Sequence, residues 1–290
     1  MRYSRVALVL IAALALFGGL ALSDNTTKAA GDTHVTAAAA ATLPLEHLVD
    51  DESERALFEA RQLLWRDCMT GAGFEYSTVE YVSDPVLPRY GIDDEELAAR
   101  AGYDFFDVLL DNRPPAPLPD TSAEWETAFF GDWESRYEVR SEDGEMVSRP
   151  GSGCIWEADL VLYGADPAAH FELTLAYQGV LGEASDRFFA DPERAEVIAE
   201  WSACMLGNGY DISEVYDTST LRSEADPAGK AAAVTDAQCK GKADLVQRLT
   251  QIESAIQAAV LAENADLVEN WLASTERSVD NAKAAIGEAN

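Results

Sequence analysis

The chain has 290 residues, and 52 acidic side chains against 21 basic ones leave a formal net charge of −31. That balance excludes a nucleic-acid binder, which needs basic side chains to neutralise phosphates. With 48% hydrophobic and 25% charged residues, the composition is that of a globular protein of one or two domains rather than a disordered chain.

Residues 1–23 read as a secretory signal peptide: Arg2 and Arg5, an apolar run over 6–22, then Ala21-Leu22-Ser23 as a small-residue cleavage pattern. The 17-residue run makes a helix of about 25 Å, short of a hydrocarbon core of about 30 Å, so removal is expected over permanent anchoring. No cysteine precedes Cys68, so no thiol stands at the end of the run for acylation. The expected location is secreted or cell-envelope associated, without stable membrane insertion after signal removal. Residues 24–42 are rich in Ala and Thr with no periodic apolar face, and read as a flexible spacer. Five lysines stand beside sixteen arginines in an alanine-rich chain, a bias common in high-GC bacterial genomes.

Two short elements occur twice in the same order. Trp65-Arg66-Asp67-Cys68-Met69 precedes Gly73-Phe74, and Trp201-Ser202-Ala203-Cys204-Met205 precedes Gly209-Tyr210 at the same spacing. Each ends an amphipathic helical stretch, through Leu57, Ala60, Leu64 and Cys68 in the first and Val197, Trp201, Cys204 and Met205 in the second. Downstream, Cys154-Ile155-Trp156-Glu157-Ala158-Asp159-Leu160-Val161 matches Cys239-Lys240-Gly241-Lys242-Ala243-Asp244-Leu245-Val246 in five positions of eight. Residues 43–164 and 192–290 therefore read as two helical units of one repeat, with a connecting helix over 165–191. In this downstream element the Cys, Ala and Val, namely Cys154, Ala158 and Val161 in the first copy and Cys239, Ala243 and Val246 in the second, are expected to share one helix face.

Four cysteines, none in a Cys-x-x-Cys pair, in an exported chain read as a disulfide framework. Three pairings are open. Cys68 with Cys154 and Cys204 with Cys239 is the preferred one, because it makes each unit self-contained. A four-cysteine zinc site would need close cysteine pairs, which the separations do not provide.

The W-x-x-C-M-x-x-x-G-[FY] element, the Ala-Asp that follows each later Cys, and Gly153-Cys154 followed by Leu162-Tyr163-Gly164 resemble a large set of uncharacterised, signal-peptide-bearing secreted proteins of actinobacteria. The resemblance spans most of 51–272. It implies an extracytoplasmic, mainly helical protein and brings no activity, substrate or catalytic residue with it.

The first unit carries about 51 residues more than the second between its cysteines. Within this insertion a short helix is predicted over 93–101 and another over 121–130, separated by a proline-rich loop at 114–119. Alternation over 137–140 and 145–148 around Asp143-Gly144 predicts one β-hairpin. Residues 74–137 hold 12 of the 26 aromatic residues. Either the insertion builds a small core of its own from them, or a subset forms a partner-binding surface, for which Tyr90, Tyr103, Trp125, Trp133 and Tyr137 are the candidates. Asp166-Pro167 and Asp191-Pro192 open helices before and after the connecting segment, and Asp226-Pro227 opens another. Leu245, Leu249, Ile252, Ile256, Val260, Asn264, Leu267 and Trp271 form one stripe, which predicts a single long terminal helix.

No nucleophile elbow, zinc-protease helix, phosphate loop or dinucleotide fingerprint occurs. Of the three histidines, His34 and His47 lie in or beside the spacer, and His170 reads as a surface or boundary side chain. Acidic runs at 50–54 and 93–96 lack calcium-loop spacing and suit helix starts. Gly151-Ser152-Gly153 reads as a turn. No catalytic residue, metal or cofactor is assigned. The expected fold is mainly α: two disulfide-tied helical repeat units, with an irregular aromatic-rich insertion and one small β-hairpin in the first. The expected function is non-catalytic binding of an envelope protein, peptide or glycan; the alternative is a carboxylate-dependent glycan or peptide hydrolase.

Overall fold

The computed structural model describes residues 43–46, 48–83, 87–104, 122–140, 146–217 and 227–289. The signal segment, the spacer, His34, His47, the proline loop and the Asp143-Gly144 turn lie outside the described residues. Among the described residues nine α-helices and one two-stranded hairpin occur: α1 Asp51–Gly71, α2 Glu95–Ala101, α3 Ala123–Phe130, β1 Tyr137–Arg140, β2 Met146–Arg149, α4 Gly153–Tyr163, α5 Pro167–Ala190, α6 Pro192–Gly207, α7 Pro227–Lys242, α8 Leu245–Glu263 and α9 Ala265–Ala289. The mainly helical expectation holds. No helix among these residues is long and apolar enough to cross a membrane.

Capping chemistry places the helix starts. Asp50, Asp94, Ser122 and Asp191 each accept a hydrogen bond from the backbone N–H three residues on, at 2.7, 2.6, 3.2 and 3.0 Å. Pro167 and Pro192 occupy the first turns of α5 and α6, where no intrahelical N–H is needed. The two Trp-x-x-Cys-Met helices also end alike. Gly73 and Gly209 adopt φ of +88° and +92°, and the Phe74 and Tyr210 N–H groups return to the Met69 and Met205 carbonyls at 2.9 and 3.0 Å.

The disulfides join Cys68 to Cys154 and Cys204 to Cys239, with Cα separations of 5.6 and 5.7 Å. The first ties α1 to α4 beside Met69, Trp125 and Phe129. The second ties α6 to α7 in a core that includes Trp201, Met205, Leu245 and Leu249. The hairpin is antiparallel, with Tyr137 opposite Arg149 and Val139 opposite Val147.

Three expectations need correction. The terminal stripe is carried by two helices, because the chain breaks at Asn264, whose side-chain amide donates to the Val260 carbonyl at 3.0 Å. Val260, Leu267 and Trp271 still meet one cluster around Tyr177 and Val180, so periodicity survived a break that it does not reveal. Next, α7 stops at Lys242 and Asp244 is left-handed at φ 49°, so Val246 belongs to α8 and shares no helix with Cys239. Finally, the described residues of the insertion build no separate core. Tyr90 enters the core of the second disulfide, whereas Trp125 and Phe129 enter that of the first. Ile92, Leu97, Ala98, Ala101 and Tyr103 pack on Ala232, Ala233 and Ala237 of α7, whose small side chains allow a close approach. Helices of seven and eight residues bury too little apolar area to sustain a core alone.

Contacts also cross between the ends of the chain. Helix α9 packs on α1, α4 and α5. Leu43 and Leu45 are buried; Leu45 receives the Tyr177 hydroxyl on its carbonyl at 2.7 Å, and its own N–H donates to the Gln257 side chain at 3.0 Å.

Candidate functional site

The structure separates the five candidate aromatics. Tyr90, Tyr103 and Trp125 are core residues, at 1%, 4% and 4% exposure, whereas Trp133 is 74% exposed. The Tyr90 hydroxyl donates to Glu253 at 2.7 Å and the Tyr103 hydroxyl to Asp236 at 3.3 Å; burial and these carboxylates push both phenols up. Trp125 stacks on Phe129 at 4.9 Å. Tyr137 is half-buried against Trp156, at 5.4 Å between centroids. Among the five, only Trp133 presents most of its ring to solvent.

The backbone under Trp133 is held closely. Helix α3 ends at Gly131, where φ is +76°, and Asp132 caps a single 3₁₀ turn over Trp133–Ser135 through the Glu134 N–H at 2.9 Å. The Ser152 hydroxyl accepts the Asp132 N–H at 2.8 Å and lies 2.6 Å from the Ser135 hydroxyl, which in turn reaches the Asp132 carbonyl at 2.8 Å. Glycine is required on both sides of this contact. A Cβ on Gly131 would strike the Ser152 carbonyl, and one on Gly153 would strike the Gly131 amide. Gly153 opens α4, and the next residue is the disulfide cysteine Cys154, so the loop rests on a covalently tied frame.

Arg136 lies across the Trp133 indole, with its guanidinium carbon 3.5 Å from the ring centroid. No carboxylate among the described residues lies within ion-pair distance of Arg136, and its Nε is buried without a hydrogen-bond partner. By contrast Arg89, Arg149, Arg187, Arg194 and Arg248 each pair with an acid.

The other titratable clusters are tied into the scaffold. Asp236 receives the Trp201 indole N–H at 2.8 Å and the Lys240 ammonium at 3.1 Å, and Lys240 also donates to the Ile92 carbonyl at 2.9 Å. Burial pushes the Asp236 carboxyl up and the Lys240 ammonium down, and each opposes the shift of the other. Asp159 is raised by burial against the pull of Arg149, which lies 3.5 Å away. Glu253 is raised by burial and steadied by Tyr90.

His170 is a boundary side chain, partly buried. It stacks on Tyr163 at 4.2 Å, and its Nδ1 lies 2.9 Å from the Ser274 hydroxyl. Burial, then Arg61, Arg277 and Arg149, push it down to about 4, so it is neutral at neutral pH. The neighbouring groove, about 300 Å³, is lined by Tyr163, Gly164, Ser274, Arg277, Ser278 and Asn281, and Asp280 is its one carboxylate. Among the described residues no group of three or more His, Cys, Asp or Glu is placed to hold a metal ion.

Sequence reasoning included Trp133 but missed Arg136 and the seat formed by Gly131, Ser135, Ser152 and Gly153. The available signal was the density of Gly and Ser on both sides of the hairpin; which of them meet depends on tertiary pairing. No family model matches this chain, and neither a curated protein nor a solved structure matches it.

Proposed function

We propose that this chain is an extracytoplasmic, non-catalytic binding module that engages an envelope protein, peptide or glycan through the Trp133 loop. The observation that carries the reading is an exposed indole on a backbone clamped to a disulfide-tied helix. Exposed aromatic anchors mark recognition surfaces, and a prearranged loop loses little conformational entropy on binding. Two disulfides suit an oxidising compartment, in agreement with the N-terminal export signal and with the resemblance to exported actinobacterial proteins. The shared ends of α1 and α6 support descent from one duplicated unit. Against the hydrolase alternative, Asp159, Asp236 and Glu253, which burial raises, are each engaged by scaffold partners.

The test begins with the exported chain. N-terminal sequencing is expected to return a start near Asp24; an intact Met1 on membrane-bound material overturns the export reading. Co-sedimentation of the purified protein with isolated cell envelope then compares wild type with Trp133→Ala. The substitution is expected to lower the bound fraction at least tenfold. Equal sedimentation of the two proteins overturns the role of the Trp133 loop.

A further inference from the structure

We propose that Trp133 and Arg136 together form a platform for a saccharide ring that carries a carboxylate, as in a uronic acid. The inference rests on the binding-module reading and names its ligand class. Trp133 stands on a 3₁₀ turn with most of its surface in water, so it offers a flat apolar face rather than a pocket. A pyranose ring presents a matching flat face of C–H groups. Peptide side chains draw most of their binding energy from filling enclosed, desolvated sites, which a projecting indole does not supply.

Arg136 decides the charge of the ligand. Its guanidinium already occupies one face of the indole at 3.5 Å, so a ligand cation on the other face would meet a positive charge through the ring. Its N–H groups have no carboxylate partner among the described residues, although acids outnumber bases 52 to 21 in the chain. A guanidinium stacked on an aromatic ring keeps its N–H groups in one plane, and with Nε buried the two terminal nitrogens form the edge that can grip a carboxylate with two parallel hydrogen bonds. Stacking and bidentate pairing thus act side by side, one on the ring and the other on its acid group. Asp132, Glu134 and Glu138 are exposed around the platform and repel any polyanion at long range. That repulsion is screened within about 8 Å at physiological ionic strength, whereas the stacked contact is not.

The experiment is isothermal titration of the full exported chain with three probes: a hexasaccharide containing glucuronate, the same hexasaccharide with its carboxyls reduced to alcohols, and a hexaglutamate peptide. The glucuronate sugar is expected to bind at least tenfold more tightly than either of the others. Arg136→Lys, which keeps the charge but loses the planar fork, should abolish that preference. Trp133→Ala should weaken both sugars at least tenfold, and Trp133→Phe, which retains a ring and the fold, should restore part of the loss. Equal binding of the acidic and reduced sugars, or preference for hexaglutamate, overturns this inference and leaves the binding module standing. Failure of all three probes while the chain still sediments with envelope through Trp133 overturns the inference alone. Failure there as well overturns both.

Discussion

Lys240 of α7 places its ammonium 2.9 Å from the backbone carbonyl of Ile92, so a fully buried cation of the C-terminal half is completed by the segment inserted in the N-terminal half. The same ammonium pairs with Asp236, which also takes the Trp201 indole. Replacing Lys240 with Met leaves Asp236 buried without its counter-charge. The expected loss is about 3 to 5 kcal/mol, the range for breaking a buried pair from one side. Urea denaturation checks it, and proteolysis within 87–104 should increase at the same time.

The two disulfides should be unequal in effect. On the loop-entropy account their separations of 86 and 35 residues correspond to upper values of about 4.6 and 3.8 kcal/mol. Replacing Cys68 and Cys154 together by Ala should in addition loosen the seat of the Trp133 loop, since Cys154 follows Gly153. Faster tryptic cleavage after Arg136, with α6 to α8 unaffected, is the expected pattern. Peptide mapping without reduction should recover both observed pairs; Cys68 linked to Cys204 would contradict them.

Gly131→Ala tests the seat directly. The substitution forces a side chain into φ +76° and against the Ser152 carbonyl, so a loss of at least about 2 kcal/mol is expected. Differential scanning calorimetry measures it. Gly207→Ala is the control, because a Cβ there meets nothing within 4 Å.

His170 imposes an acid sensitivity whose sign follows from linkage. Its folded pKa of about 4 lies below the unfolded value near 6.5, so between those limits the unfolded chain binds the extra proton. Stability from this group is complete above about pH 6.5 and falls by up to about 3 kcal/mol as pH drops through about 4. The raised carboxyls of Asp159, Asp236 and Glu253 act in the opposite sense, contributing stability that is lost as pH rises through their folded pKa values. His170→Phe keeps the stack on Tyr163 and removes the titration. Urea midpoints from pH 7 to pH 4 should therefore fall less steeply in this variant than in wild type.

Much of the local structure was legible in the residues. Asp50, Asp94, Ser122 and Asp191 announce helix starts because a short polar side chain satisfies an amide that the helix itself leaves free. The repeated Trp-x-x-Cys-Met-x-x-x-Gly spacing located both helix ends and one cysteine of each pair, and the repeated Cys-x-x-x-Ala-Asp element located the other. Asn264 was not legible as a break, since its place on the apolar stripe is compatible with one helix or two.

By itself, then, the sequence determined the helical class and the hairpin, marked the helix starts and favoured one cysteine pairing, all of which depend on neighbours a few residues apart or on a repeated spacing. Only the tertiary structure decided that Tyr90, Tyr103 and Trp125 are core and Trp133 is surface, for all four belong to the same aromatic-rich segment. The reason is physical: burial is settled by what arrives from elsewhere in the chain. Here the alanine face of α7 received Tyr103, the core behind Trp201 received Tyr90, and the Ser152 turn lifted Trp133 into solvent.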